Sequence, residues 1–362
     1  MGNNTSITEH KRHYYRELLC IGVPIIIGQL GTIILGFADT LMIGHHSTEE
    51  LAAAGLVNNI ITFILVSYMG FSYGLTPIIG KLYGMEKTDK IGQKVKNSFF
   101  ANMVVGVIFS LALIILYFNL HRIGQPEELL ALIRPYFIVN LISVLFVGVF
   151  NTLKQFLDGI GNTKVAMWVM IMGNIVNIFG NWVLIYGVGP CPEMGLLGAG
   201  ISTLASRVLM AVAMVGIIVG TKEYREYRNN IIASRINGAD FREMNRLGWP
   251  VALQLALESG AFTLSCVMVG WLGTIPLAAH QVMITISQLF YLVLSGMAAA
   301  LAIRVSHFVG QNDFAAVRRN AYDGWRLNLL FSLCMGIPVL LLRHQIGGWF
   351  NDNVEVQQYV AL

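Results

Sequence analysis

After a polar opening, "MGNNTSITEHKRHYYRE", the chain is a series of apolar runs parted by short polar segments. A helix that crosses a bilayer needs about 17–25 mostly apolar residues. Runs of that length lie near 18–43, 52–80, 98–119, 130–153, 165–187, 195–219, 247–272, 277–303 and 327–347. The pattern predicts nine transmembrane helices, with a tenth starting in "VEVQQYVAL". The first run is too long to be the core of a cleavable signal peptide.

Basic residues give the spans a direction. Lys11, Arg12 and Arg16 precede the first span, and Lys81, Lys87, Lys90, Lys94 and Lys96 follow the second. Lys154 and Lys164 follow the fourth. Lys222, Arg225, Arg228, Arg235, Arg242 and Arg246 follow the sixth, and Arg304, Arg318, Arg319 and Arg326 the eighth. The first, fifth and seventh loops have no basic residue, and the third has only Arg122, with Arg134 nearby. This alternation predicts a cytoplasmic N-terminus.

Composition supports the same class. The 362 residues are 55% hydrophobic and 12% charged, where soluble domains carry roughly 25% charge. The 37 glycines suit close helix packing in lipid. A net charge of +4 reflects the loop asymmetry and does not point to nucleic acid. Cys20, Cys191, Cys266 and Cys334 form no CxxC pair, hence no disulfide framework or zinc site.

The chain also repeats itself. Sliding it by 226 positions aligns Gly22 with Gly248, Pro24 with Pro250, Met42 with Met268 and Gly44 with Gly270, without gaps. Thr48 then meets Thr274, Leu51-Ala52-Ala53 meets Leu277-Ala278-Ala279, Gly70 meets Gly296, Leu75 meets Leu301 and Gly84 meets Gly310. Helix 1 maps onto helix 7, an even step, so the halves share one orientation about an axis along the membrane normal. The expectation is an all-α polytopic protein of two pseudo-symmetric six-helix lobes, twelve spans in all, with nine or ten present in this chain. The expected boundaries are 1–222 for the N-lobe, 223–245 for a cytoplasmic linker and 246–362 for a partial C-lobe. Leu362 falls on Tyr136, and a complete second half is expected to run to about residue 450.

Two acids, Asp39 and Glu258, lie well inside spans. Such a residue costs about 2.5–3.5 kcal/mol on insertion scales and marks a candidate site. A protonated carboxyl bonded to a backbone carbonyl is the structural alternative. Under the repeat Asp39 falls on Ser265 and Glu258 on Thr32, so the shared scaffold does not explain either acid. Asn174, Asn177 and Asn181 stand at i, i+3 and i+7 on one helical face. Their amide oxygens suit a hard cation, or hydrogen bonds between helices. Pro24, Pro77 and Pro250 free backbone groups and permit bending, or serve packing. The 16 methionines and many aromatics suit a cavity for varied apolar cations, or face lipid and core. No HExxH or GxSxG is present, and "GLTPIIGK" has the wrong spacing for a phosphate loop, so the reading is not an enzyme.

These residues resemble the multidrug and toxic compound extrusion (MATE) family, in its NorM-type branch. Pro24, Gln29, Asp39, Met42 to Gly44 and Leu51 to Leu56 are similar to its opening pattern. "GLTPIIGKLYG" is similar to its helix 2 motif, with Ile79-Gly80-Lys81 where many members read a Gly-Gln pair. "LDGIGNTK" and "ESGAFTLSCVMVGWLGTIPLAAHQV" resemble the loop after helix 4 and helix 7 with its loop. "RVSHFVGQ" resembles an Arg-Val-Gly-Gln motif from which Ser306 and His307 depart. The resemblance implies two six-helix lobes around a V-shaped cavity, in a bacterial-type inner membrane. It implies cation coupling at Asp39, Asn177, Asn181 and Glu258, with Thr203 and Asn174 as weaker matches. The branch's further acid, in helix 10, lies past the residues this chain reaches.

The reading is a secondary exporter that antiports organic cations or drugs against inward Na+ or H+, with Na+ placed at Asp39, Asn177 and Asn181. Pro24 and Pro250 are the expected hinges. No cofactor is expected beyond the coupling ion; the expected partners are drugs and membrane lipids, with no nucleic acid, and the chain is expected to be monomeric. The alternatives are a lipid-linked oligosaccharide flippase of the same superfold and, from another class, a non-transporting receptor or assembly partner.

Overall fold

The protein is described by a computed structural model covering residues 2–123, 126–350 and 354–361. Leu362, the repeat counterpart of Tyr136, lies outside the described residues. The described chain is helical without a strand: α1 (Gly2–His46), α2 (Thr48–Tyr73), α3 (Leu75–Gly84), α4 (Thr88–Phe118), α5 (Glu127–Gly159), α6 (Thr163–Tyr186), α7 (Gly195–Gly220), α8 (Arg225–Ala233), α9 (Gly238–Gly270), α10 (Thr274–Gly310), α11 (Phe314–Phe350) and α12 (Val354–Ala361). Nine helical stretches among the described residues are long and apolar enough to cross a membrane, from Tyr15–His46 to Phe314–Trp349. Backbone groups in lipid have no water to bond, so the chain satisfies them within helices.

Several boundaries differ from those read off the sequence. The second span, Thr48–Gly84, breaks at Gly74 into α2 and α3. Pro77 has no N–H for the carbonyl of Tyr73, the last residue of α2. Pro24 and Pro250 do not break their helices, and α1 and α9 run on through both. Beside Pro24, the Thr163 hydroxyl donates to the Ile21 carbonyl (3.0 Å), supplying a bond from outside the helix. The segment expected as linker holds α8, and its last residues already belong to α9, which begins at Gly238. Helix α5 reaches Gly159, so Lys154 is a helix residue and not a loop residue.

The largest core lies mainly among α2 to α7, with Ile43 of α1 and Met244 and Ala252 of α9 joining it. Tyr68 is fully buried in it, and its hydroxyl donates to the Asn102 carbonyl (2.8 Å). A Cβ on Gly148 would stand 1.8 Å from that hydroxyl oxygen and one on Gly106 2.5 Å from it, so two glycines admit the ring between α4 and α5.

The sequence repeat is also a repeat of contacts. A Cβ on Gly22 would stand 2.7 Å from the Met297 sulfur; 226 positions on, a Cβ on Gly248 would stand 2.7 Å from Phe71, the counterpart of Met297. Likewise Gly70 packs on Ala252, and their counterparts Gly296 and Ile26 pack on each other. Gly84 meets the His307 carbonyl as Gly310 meets the Lys81 carbonyl. Gly80 faces its own counterpart, Ser306. The halves thus exchange contacts about a pseudo-twofold axis that passes between Gly80 and Ser306. These contacts, with the Glu17–Arg304 ion pair (2.6 Å) between α1 and α10, join the halves at the end where α3 and α10 terminate.

Candidate functional site

Asp39 lies two turns before the end of α1 at His46. That end is held in place. His46 bonds Glu50 (2.8 Å) and Glu193 (2.9 Å) through its two ring nitrogens, and the Tyr186 hydroxyl donates to the Met42 carbonyl (3.0 Å). The half-buried Asp39 carboxylate meets α6. Asn181 Nδ2 donates to Asp39 Oδ1 (2.5 Å). Both amides are buried. They stand one turn apart, so a single helix face presents both to α1.

Asn177 completes the group. Its N–H donates to Asp39 Oδ1 (3.0 Å), and its side-chain oxygen accepts from the Thr203 N–H and hydroxyl (3.2 Å each). Ser202 holds this turn of α6 from behind by donating to the Asn177 main-chain carbonyl (2.8 Å). Asn181 Oδ1 is buried without a hydrogen-bond partner, and a buried acceptor left unpaired is costly. The Asp39 carboxylate, faced by the buried Asn181 and Asn177 amides, is a negative, amide-lined position suited to one proton or small cation.

A second polar layer surrounds the first. On α5, Tyr136, Asn140 and Ser143 stand at i, i+4 and i+7 and share a face. The Tyr136 hydroxyl donates to Asn58 of α2 (2.9 Å), and Ser143 accepts from Arg207 of α7 (2.5 Å). Arg207 is one turn from Thr203, within electrostatic reach of Asp39 and Tyr136. Among the described residues it has no carboxylate within 4.0 Å. The sequence reading missed this arginine, although "TLASRVLMA" carries the same signal as Asp39, a charge in an apolar run. It likewise missed the buried Lys154–Asp158 pair (2.6 Å). With Pro24, Gln29 and Thr163, that pair lines a cavity of about 20 Å³, room for one water.

The other expected residues lie apart. Asn174 Nδ2 is buried without a partner and packs on Gly31, where a Cβ would stand 2.7 Å away. Glu258, in the other half, faces the Tyr291 hydroxyl of α10 and shares no hydrogen bond with the Asp39 group. No cluster of His, Cys, Asp and Glu among the described residues is arranged to hold a metal.

Comparison with known proteins adds to this geometry. The family model described as MatE matches residues 24–183 and 250–361. The multidrug resistance protein NorM of Photobacterium profundum is 27% identical over 350 residues, covering 95% of this chain and 76% of that protein. A MATE transporter solved in complex with MaD3S shares the fold with a TM-score of 0.86 at 19% identity, over 96% of this chain and 78% of that one. A multidrug resistance MATE family transporter of the MOP superfamily, solved in its outward-facing conformation, aligns with a TM-score of 0.83 at 19% identity, over 95% and 76% of the two chains.

Proposed function

The chain belongs to the MatE family, whose members are multidrug transporters and not enzymes, and from that premise we propose that it exports organic cations by antiport against inward Na+ or H+. The N-lobe of the exporter is 1–222 and 246–362 is a partial C-lobe, linked through 223–245, whose last residues open α9, in a cell membrane with the N-terminus in the cytoplasm. The observation that carries this reading is the Asp39 niche: a carboxylate inside a span, faced by the two buried amides of Asn181 and Asn177.

The chemistry follows from that arrangement. While Asp39 is ionised, the N–H groups of Asn181 and Asn177 face it. When a proton or Na+ arrives, an amide turns its oxygen in, as acceptor for the proton or ligand for the ion. The swap changes how α1 is held against α6 and α7. A ligand shifts a two-state equilibrium only by its differential affinity for the states. Coupling therefore requires ion and drug to favour opposite packings of the lobes, or to compete for Asp39. Glu258 with Tyr291 is the acidic position of the second lobe, at a different place in the repeat from Asp39.

The test is dye efflux from proteoliposomes, driven first by a Na+ gradient and then by a pH gradient. Asp39→Asn keeps an oxygen for Asn181 to bond and removes the charge. Its expected result is loss of gradient-driven efflux with normal insertion. Unchanged efflux by this variant sinks the coupling role of Asp39, and the gradient that drives the native protein names the ion.

A further inference from the structure

The first and fifth loops, which meet at the end of α1, contain no Lys or Arg. Carboxylates from both sides are nevertheless drawn to one centre there. His46, the last residue of α1, directs Nδ1 at Glu50 of α2 (2.8 Å) and Nε2 at Glu193 of the loop between α6 and α7 (2.9 Å). The other titratable neighbours leave the ring to these two. His45 is turned back to the Leu41 carbonyl (2.8 Å), Glu49 is exposed, and Tyr186 of α6 meets the ring edge-on with centroids 6.2 Å apart.

A carboxylate only accepts hydrogen bonds, and a neutral imidazole has a single N–H. Two carboxylates on two ring nitrogens are therefore both satisfied by the imidazolium and not by the neutral ring. The C-terminal end of α1 favours the same charge. A neutral ring keeps one donor and turns a lone pair on the other carboxylate. The Glu50 side chain is 14% exposed and that of Glu193 66%, so Glu193 is the arm that lets go.

Glu193 belongs to a strap, residues 188–194, that crosses from α6 to α7. The strap leaves α6 at Gly187, whose φ is +66° and whose added Cβ would stand 2.7 Å from the Glu193 nitrogen. It enters α7 at Gly195, where an added Cβ would stand 2.3 Å from Glu50 Oε1. Glycine at these two points lets the chain fold back and brings the start of α7 against Glu50. The Met194 N–H donates to the Leu184 carbonyl of α6 (3.0 Å). Among the described residues, Glu193 makes the strap's hydrogen bond to α1.

We propose that His46 is a proton-operated staple: as the imidazolium it bridges Glu50 and Glu193 and fastens the 188–194 strap to α1 and α2, and on losing its proton it frees the strap. The staple is whole in acid and is lost as pH rises through the titration of His46. By fixing the end of α1 two turns past Asp39, His46 is also a positioning residue for the niche. That consequence rests on the transport reading; the staple itself does not.

The test reads the strap directly. The full chain in nanodiscs has Cys20, Cys266 and Cys334 replaced by Ser and a nitroxide spin label on Cys191, within the strap. The mobile fraction in its continuous-wave EPR spectrum is followed from about pH 5.5 to about pH 9.5, a range that spans the ordinary histidine titration near about 6.5. With His46 present, the mobile fraction is expected to rise by at least about threefold toward high pH, the scale of a partly exposed charge pair. His46→Arg, cationic throughout, is expected to keep the strap immobile at every pH. His46→Ala and Glu193→Ala are expected to leave it mobile at every pH. A mobile fraction that ignores pH while His46 is present overturns the proposal, and so does a His46→Ala profile that follows the native one. Dye efflux by the native protein is measured separately: its absence counts against the transport reading, and the EPR profile still decides the staple.

Discussion

Arg207 lies in mid-span, where a guanidinium costs about 2.5–3.5 kcal/mol on insertion scales. Of its five donors, Ser143 takes one, and the charge that answers it across the site is Asp39. The two should behave as one unit. Arg207→Gln is expected to cut initial rates of gradient-driven dye efflux by about tenfold or more, the scale of losing one buried charge interaction. Arg207→Lys keeps the charge but loses the fork and should fall between. The pair Asp39→Asn/Arg207→Gln should lose less than the product of the single losses; multiplicative losses mean the residues act separately. Asp39 was legible in the sequence because a carboxylate in an apolar run is expensive, and that argument applies equally to Arg207. What spacing could not supply was the partner. Asn174, Asn177 and Asn181 share a face, yet Gly31 of α1 lies opposite Asn174 where Asp39 lies opposite Asn181. That difference is set by how α1 crosses α6, which no periodicity encodes.

Helix crossings in this protein depend on glycine at particular points. A Cβ on Gly84 would stand 2.0 Å from the His307 carbonyl oxygen, and one on Gly310 2.1 Å from that of Lys81. Both clashes are with backbone, which cannot rotate away. Gly84→Ala and Gly310→Ala are each expected to destabilise the protein by about 1–3 kcal/mol, the usual cost of overpacking, and by similar amounts because the sites are pseudo-equivalent. Gly36 has nothing within 4 Å of its added Cβ, so Gly36→Ala should be neutral or stabilising by up to about 1 kcal/mol through helix propensity. Thermal unfolding in detergent, followed by circular dichroism, separates the three. A Gly36-like result at Gly84 overturns the close crossing of α3 and α10. Existence of the spans was readable from apolar run length alone. Their exact ends were not: α5 carries on to Gly159 with the Lys154–Asp158 pair buried inside it, and a hydropathy count reads such a pair as the end of the span. Helix α8 was hidden for the opposite reason. "REYRNNIIA" has too few apolar residues to announce a helix, and its seat on α4 holds it.

At the scale of the molecule, the repeat turns one sequence offset into an interface. Because Gly22 and Gly248, Gly70 and Gly296, and Gly84 and Gly310 occupy exchanged positions, the halves meet through the same surface twice, as in a twofold dimer. This was legible only as matched glycines; that they are the contact points required the fold. The joined end includes Leu18 of α1 packed with Met297 and Ala300 of α10 and the Glu17–Arg304 pair. Alternating access by rigid lobes requires this end to part in each cycle. A covalent bridge across it should therefore stop transport without harming the fold. In a background with Cys20, Cys191, Cys266 and Cys334 replaced, Leu18→Cys/Ala300→Cys bridged by a short, reducible bis-thiol reagent is expected to lose gradient-driven efflux, and reductant is expected to restore it. The single-cysteine variants, given the same reagent, should transport throughout. Full efflux at complete bridging would mean that α1 and α10 never separate here, and the opening between lobes would have to be sought along α2 and α9, where Gly70 and Gly248 make the equivalent contact.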